Sequence, residues 1–327
     1  MNPICFDLEG PLSPQDNAYD LMKLIPNGGQ IFEVISRYDD LLTMEGREDY
    51  EPGDTLALIV PFLVLHNISE ADIAASATRA RLNDGALELI SSLKYSGWEV
   101  FCITTTYEQY ANHITRELGI VKRNIACTKF GLDRLKITLC KDDTALLEET
   151  EQDILAIKAD DSIIKQKLDS FFWKLLPRTQ FGRAIRQVKP VGGRRKVAAL
   201  KVFSRRIGQP LPCWVVVGDS ITDFRMLKEV DNAGGLAVAF NANQYALPYA
   251  TMSLASVNVG DLTPVLKAWQ EGGREEAEKT VRAREKAVDD DNRNNFHWLS
   301  AKGDIYDVIS LHRRLRRLVR EEAGKLG

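Results

Sequence analysis

The chain reads as an α/β protein, three layers built on a parallel sheet, and three observations predict it. Short apolar runs bounded by turn residues recur at residues 4–8, 99–104, 124–128 and 214–218, with the length and composition of strands buried on both faces. Helical patterns separate them at residues 85–96, 107–118 and 195–207, and Gly97, Gly119 and Gly208 stand where helix C-termini favour glycine. Strand and helix therefore alternate, as they do when crossover helices cover a parallel sheet.

Two segments break the alternation. Residues 17–81 hold amphipathic helical stretches and no clear strand, which predicts a helical cap inserted after the first strand. Residues 134–188 hold a charged helical run at 145–158 and an amphipathic one at 163–176 with Phe171, Phe172 and Trp173, which predicts a second helical insertion. The core is then assembled from residues 1–16, 82–133 and 189–268, followed by a charged helical extension over 269–327. That extension is strongly charged over 271–286, loop-like over 289–295, and ends in an amphipathic helix over about 304–322. The apolar stripe of this last helix, Ile305, Val308, Ile309, Leu315 and Leu318, is expected to pack on the core or on a second subunit, making it the candidate surface for a homodimer or a complex partner. Arg313, Arg314, Arg316, Arg317 and Arg320 are expected to form its solvated face. No internal repeat is visible.

Composition narrows the function. The 327 residues are 44% hydrophobic and 27% charged with a net charge of −3, so there is no basic excess to draw nucleic acid or an anionic membrane, and an anionic small molecule must be held by a local site. The N-terminus runs directly into a strand pattern with no basic leader, and the apolar run at 56–65 is too short for a membrane span and contains Pro61. A cytoplasmic protein is expected. Cys5, Cys102, Cys127, Cys140 and Cys213 show no metal-ligand or redox spacing, and all except Cys140 lie in or beside apolar runs, as buried reduced thiols do. The four histidines form no pattern.

Four motifs carry chemistry. In Phe6-Asp7-Leu8-Glu9-Gly10-Pro11-Leu12, two carboxylates two residues apart leave the end of a buried strand, and a strand sends such positions to the same side. One can serve as nucleophile and the other as acid/base, because like charges held close push one pKa upward; an exposed Asp-x-Glu-Gly turn is the plainer alternative. Cys102-Ile103-Thr104-Thr105-Thr106 ends a strand just before a helix, where hydroxyls and free backbone N–H groups suit an anion, or simply cap the helix. Gly192-Gly193-Arg194-Arg195-Lys196 opens a helix with a lysine able to neutralise a phosphoryl oxygen, although Arg194, Arg195 and Lys201 compete for that assignment. Val215-Val216-Val217-Gly218-Asp219-Ser220-Ile221-Thr222-Asp223 places two acids four residues apart at a strand end, a pairing suited to one hard cation such as magnesium, or an ordinary turn.

In this order the motifs resemble those of the haloacid-dehalogenase superfamily, Asp-x-Asp-Gly-Thr/Val, a strand-terminal Ser/Thr, a Lys, and Gly-Asp-x-x-x-Asp, over about residues 1–12, 82–130 and 190–260. The resemblance implies a Rossmann-like core and a magnesium-dependent phosphohydrolase acting on a small phosphate monoester. It implies that Asp7 forms an aspartyl-phosphate, Glu9 is the acid/base, Thr104 binds phosphoryl oxygen and Lys196 stabilises its charge. Asp7, the Glu9 carbonyl and Asp219 are expected to hold Mg2+ with support from Asp223; Gly10 and Thr105 are expected to touch substrate. Of the cap arginines Arg47, Arg79 and Arg81, Arg47 is assigned to a substrate carboxylate. Glu9 stands where most members carry Asp. This variant, the helical insertion after it, Thr104-Thr105-Thr106-Tyr107 and Gly218-Asp219-Ser220 look like the phosphoserine phosphatase and homoserine phosphotransferase branch, which leaves transfer to a small alcohol open. More loosely, the layout is similar to archaeal members labelled as energy-converting hydrogenase subunits, a label that suggests a partner. The contrasting reading is a non-catalytic regulatory or assembly subunit on the same fold.

Overall fold

The computed structural model describes residues 2–129, 131–157, 160–286, 294–300 and 303–320. Among them, one seven-stranded sheet runs in the order β3-β2-β1-β4-β5-β6-β7, with β1 (Asn2–Phe6), β2 (Trp98–Tyr107), β3 (Ile125–Thr128), β4 (Val215–Gly218), β5 (Leu236–Phe240), β6 (Met252–Ser256) and β7 (Asn294–Trp298). All pairings are parallel except β6 with β7. The predicted α/β class and the four predicted strands are present. The strands β5 and β6 escape the sequence pattern because Leu-Ala-Val-Ala-Phe and Met-Ser-Leu-Ala-Ser dilute their β-branched content with Ala and Ser; position inside the sheet, not propensity, makes them strands. The predicted loop at 289–295 lies outside the described residues as far as 293, and Asn294 already opens β7.

Successive strand residues face opposite layers. Ile4 and Phe6 join the apolar layer that also holds Ile90, Ile114 and Leu266, whereas Cys5 joins Phe101, Trp214, Leu200 and Leu227 on the other side. Between β1 and β2 come α1 (Asn17–Met22), α2 (Gly28–Glu45), α3 (Thr55–Leu58), α4 (Val60–Leu65), α5 (Glu70–Ala77) and α6 (Ala86–Tyr95). The apolar run at 56–65 is thus two short helices, and no single helix among the described residues is long and apolar enough to cross a membrane. After β2 stands α7 (Glu108–Glu117); after β3 come α8 (Leu132–Lys136), α9 (Lys141–Ala156), α10 (Asp161–Ser170), α11 (Gln180–Ile185) and α12 (Arg194–Ile207). The strand β4 is followed by α13 (Phe224–Asn232), β6 by α14 (Thr263–Lys286), which breaks at Gly272 and Gly273, and β7 by α15 (Tyr306–Arg320). The predicted helix ends at 158 and 322 lie outside the described residues.

The two insertions, read separately from the sequence, share one hydrophobic core. Ile35, Phe62 and Leu63 of the first pack with Leu147, Leu168, Phe171 and Phe181 of the second, and the rings of Phe62 and Phe171 lie 6.3 Å apart. The Tyr38 hydroxyl donates to Asp169 at 2.5 Å and accepts from the Trp173 indole at 2.6 Å. Each segment is amphipathic, so each covers the apolar face of the other, and together they form one helical body above the sheet.

The topology decides where a site can form. From β1 the chain builds outward through β2 and β3, then returns to the other flank of β1 for β4. Ligands of open α/β sheets bind at the carboxyl ends of strands where the order reverses, and Asp7 and Asp219 follow the last residues of β1 and β4 there.

Candidate active site

Asp7, Asp219 and Asp223 are buried, and one carboxylate oxygen from each lies within 4.8 Å of the others. Local structure forces this convergence. The Asp7 N–H donates to the Val217 carbonyl at 2.8 Å, locking the end of β1 to β4. Asp223 Oδ2 accepts from the N–H groups of Asp219 and Ser220, each at 3.1 Å, so the turn after β4 closes on the acid four residues later. Gly10 sits at φ 101°, and a Cβ there would lie 2.2 Å from Cγ of Asp219, so the first motif approaches the last only because this residue has no side chain. Asn83 donates to the carbonyls of Gly10 at 2.5 Å and Pro11 at 3.0 Å and holds the loop closed.

Lys196 is fully buried, with Nζ 2.7 Å from Asp7 Oδ2 and 2.7 Å from Asp223 Oδ1. The structure thereby separates it from its neighbours: Arg194 pairs with Glu51, Arg195 with Asp54 and Lys201 with Glu229. Gly193, at φ 50°, has Glu51 where a Cβ would stand, so the basic helix start of α12 meets acids of the cap while Lys196 turns inward. Burial opposes the charge on Lys196, but Asp223 and Asp7 outweigh it and raise its pKa. For Asp7, burial and then Asp223 push the pKa up to about 8 against the pull of Lys196.

Glu9 is held from the cap side. Its Oε1 accepts from the Asn17 N–H at 2.6 Å, at the first turn of α1. Burial and the neighbouring Asp16 raise its pKa well above the usual carboxylate range, the direction that favours a proton-donating role.

A cavity of about 100 Å³ is lined by Asp7, Glu9, Thr105, Asp219, Ser220 and Thr222 and, from the segment between β1 and β2, by Phe32, Ser36, Asp39, Asp40 and Thr55. The structure brings Asp7, Glu9, Gly10, Thr105, Lys196, Asp219 and Asp223 to one place. Thr104 is fully buried and is not among the lining residues; its hydroxyl oxygen accepts from the Thr106 N–H at 3.3 Å. Thr105 is the hydroxyl of this cluster that lines the cavity, and β2 shifts register between Ile103 and Tyr107. Arg47 is not brought there. It stacks 4.2 Å from the Trp173 ring and pairs with Asp169 at 3.4 Å and Glu45 at 3.6 Å, beside a different hollow of about 550 Å³. Arg79 and Arg81 are exposed and do not line the cavity either.

The sequence reading missed Arg316 and Arg320. The stripe of α15 packs inward through Val308 and Leu315, yet Arg316 and Arg320 are only 4% and 7% exposed, and both guanidinium groups donate to Asp219 Oδ2, Arg320 at 2.9 Å. Arg320 also donates to the carbonyls of Pro14 at 3.1 Å and Gln15 at 3.4 Å. The expected solvated face is therefore split: Arg313, Arg314 and Arg317 are exposed and these two are buried. A signal existed, because His312, Arg316 and Arg320 recur at four-residue spacing and share one helix face.

The donor set fits a hard cation. Asp219 Oδ1 is buried and has no hydrogen-bond partner among the described residues, so it is free to ligate a cation or accept from water. Asp7 and Asp219 offer the carboxylate pair that magnesium combines with phosphate and water.

No protein-family model and no curated protein matches the chain. Among solved structures it is similar to gene product AF1437 from Archaeoglobus fulgidus, with a TM-score of 0.87 and 27% identity over 100% of this chain and 99% of that one. It is similar to a phosphoserine phosphatase in its apo form at a TM-score of 0.52 and 16% identity, covering 80% of this chain and 98% of that one. A probable phosphoserine phosphatase from Vibrio cholerae matches at a TM-score of 0.50 and 16% identity, over 85% of this chain and 67% of that one. The chain has the α/β fold of these phosphoserine phosphatases, a mostly parallel seven-stranded sheet flanked by helices.

Proposed function

We propose that the protein is a magnesium-dependent phosphohydrolase acting on a small phosphate monoester through an aspartyl-phosphate on Asp7. The observation that carries this reading is the buried cluster of Asp7, Lys196, Asp219 and Asp223 beside a cavity that Asp7, Asp219 and Glu9 line. A lysine fully buried between two carboxylates costs desolvation that a scaffold could avoid with apolar packing.

An Asp7 carboxylate oxygen attacks phosphorus, the bond to the leaving oxygen breaks, and Glu9 gives that oxygen its proton, releasing an alcohol. Glu9, now a carboxylate, takes a proton from water as the water attacks the aspartyl-phosphate, which frees phosphate and restores Asp7. Thr105, at the cavity wall, and Lys196 hold phosphoryl oxygens and offset their charge. Asp7 and Asp219 would hold magnesium, which when bound would neutralise charge for the approach of a carboxylate to an anionic phosphate. The ion pair with Lys196 opposes the rise that burial and Asp223 impose on the Asp7 pKa.

The cap wall shapes substrate choice. Ser36, Asp39, Asp40 and Thr55 line it and, among the described residues, no Lys or Arg of the cap does. An alcohol bearing an amine or hydroxyls suits this wall better than one bearing a carboxylate. The test is magnesium-dependent phosphate release from a panel of monoesters by the wild type and by Asp7→Asn. Loss of turnover in the variant and without metal supports the mechanism; equal background in both returns the scaffold reading.

A further inference from the structure

The two arginines of α15 are tied to the Asp219 carboxylate, with consequences for metal binding that the hydrolase reading leaves open. Both donate to Oδ2, leaving Oδ1 as the oxygen without a hydrogen-bond partner. They are the only cationic side chains lining the cavity among the described residues, and each brings a full charge to the carboxylate that must ligate a cation. The Asp219 backbone also has anchors other than these arginines, although Arg316 reaches its carbonyl at 3.4 Å. Asp219 is fixed through its backbone: its N–H donates to Asp223 Oδ2 at 3.1 Å, its carbonyl accepts from the Asn243 N–H at 2.8 Å, and Gly10 packs against its carboxyl group.

We infer that Arg316 and Arg320 are positioning residues that act through Asp219 to weaken divalent-cation binding in the free enzyme, so that the cation is taken up together with the phosphoryl group. The inference rests on the magnesium-dependent reading above. Two positive charges beside a ligand carboxylate repel an arriving dication, and in a site withdrawn from water this repulsion is poorly screened. A phosphate dianion restores the negative charge, and such coupling is reciprocal: each ligand tightens the other.

The experiment is a calorimetric titration of the intact protein with MgCl2, with and without inorganic phosphate, for the wild type, Arg316→Gln, Arg320→Gln and Arg320→Lys, each checked by circular dichroism. Removing either charge is expected to tighten magnesium binding by about tenfold and to shrink the effect of phosphate, whereas Arg320→Lys stays within about twofold of the wild type. A merely structural role moves affinity the other way, because a loosened Asp219 is a poorer ligand. Gln variants that bind magnesium as the wild type does, or more weakly, overturn the inference. Arg320, on the last described turn of α15, keeps the test open if Arg316→Gln does not fold. No magnesium binding by any form sinks the metal-dependent reading together with this inference, while binding that is equal across all forms sinks this inference alone.

Discussion

Lys196 Nζ bridges Asp7 Oδ2 and Asp223 Oδ1 at 2.7 Å each, with no exposure to solvent. Removing one member of a buried charge set leaves the others uncompensated, so Lys196→Met is expected to lower both stability, by about 3 kcal/mol, and turnover, by at least about a hundredfold. Asp7→Asn keeps the shape and is expected to remove turnover altogether while the fold survives. Phosphate release and thermal unfolding on the same preparations check the pair; an Asp7→Asn enzyme with wild-type turnover excludes Asp7 as nucleophile.

At Gly10 a side chain has no room. Ala at φ 101° is strained, and its Cβ would overlap the Asp219 carboxyl group. Gly10→Ala is expected to cost about 1–3 kcal/mol and to weaken magnesium binding, because relief requires Asp219 to move. Denaturant unfolding and metal titration report the two effects separately, and a neutral result in both contradicts the geometry.

Asp39 and Asp40 on the cavity wall are expected to rank substrates. A phosphate ester of a small amino alcohol is expected to show a kcat/KM about tenfold or more above that of phosphoserine, whose carboxylate would face Asp39 and Asp40. Asp40→Asn should narrow the gap. If phosphoserine is preferred and Asp40→Asn leaves that preference unchanged, the cap wall does not select the substrate.

Arg47 should be dispensable for chemistry. Its partners are Trp173, Asp169 and Glu45, outside the Asp7 cavity. Arg47→Ala is expected to leave kcat/KM within about twofold and to cost about 1 kcal/mol of stability, from the lost stacking and ion pairs. A selective rise in KM would place Arg47 on the substrate after all.

His312 sets an acid limit. It is buried on α15, its Nδ1 accepts from the Ala242 N–H at 2.9 Å, and burial together with His297 lowers its pKa from 6.5 to about 3. The unfolded chain therefore binds a proton below pH 6.5 that the folded protein refuses, and stability is lost as pH falls from about 6.5 toward 3. The loss from this one group amounts to a few kcal/mol. His312→Gln is expected to flatten that slope in chemical denaturation at stepped pH, and an unchanged slope would show that other groups govern it.

Much of the site was legible in the sequence because its logic is local. A buried strand followed by an acid, twice, made Asp7, Asp219 and Asp223 candidates, the resemblance of the motif order set them apart from ordinary turns, and the structure showed that Gly10 lets the two loops touch. Position within the motif also marked Lys196, but only the structure separated it from Arg194 and Arg195, which find Glu51 and Asp54 on the cap. Helical periodicity located α15 and its apolar stripe, and there it stopped. Whether an arginine beside that stripe faces water or the interior depends on whether a carboxylate waits for it, since burying an unpaired guanidinium is prohibitive. Asp219 stands 97 residues before Arg316 in the chain, and no local pattern reports so distant a partner. The union of the two insertions has the same cause: each amphipathic segment shows that it needs a partner, and only the packed structure shows that they are partners for each other. The strand-end chemistry was thus determined by sequence, while the pairing of separated charges and apolar faces was decided by tertiary structure, because long-range complementarity leaves no periodic trace.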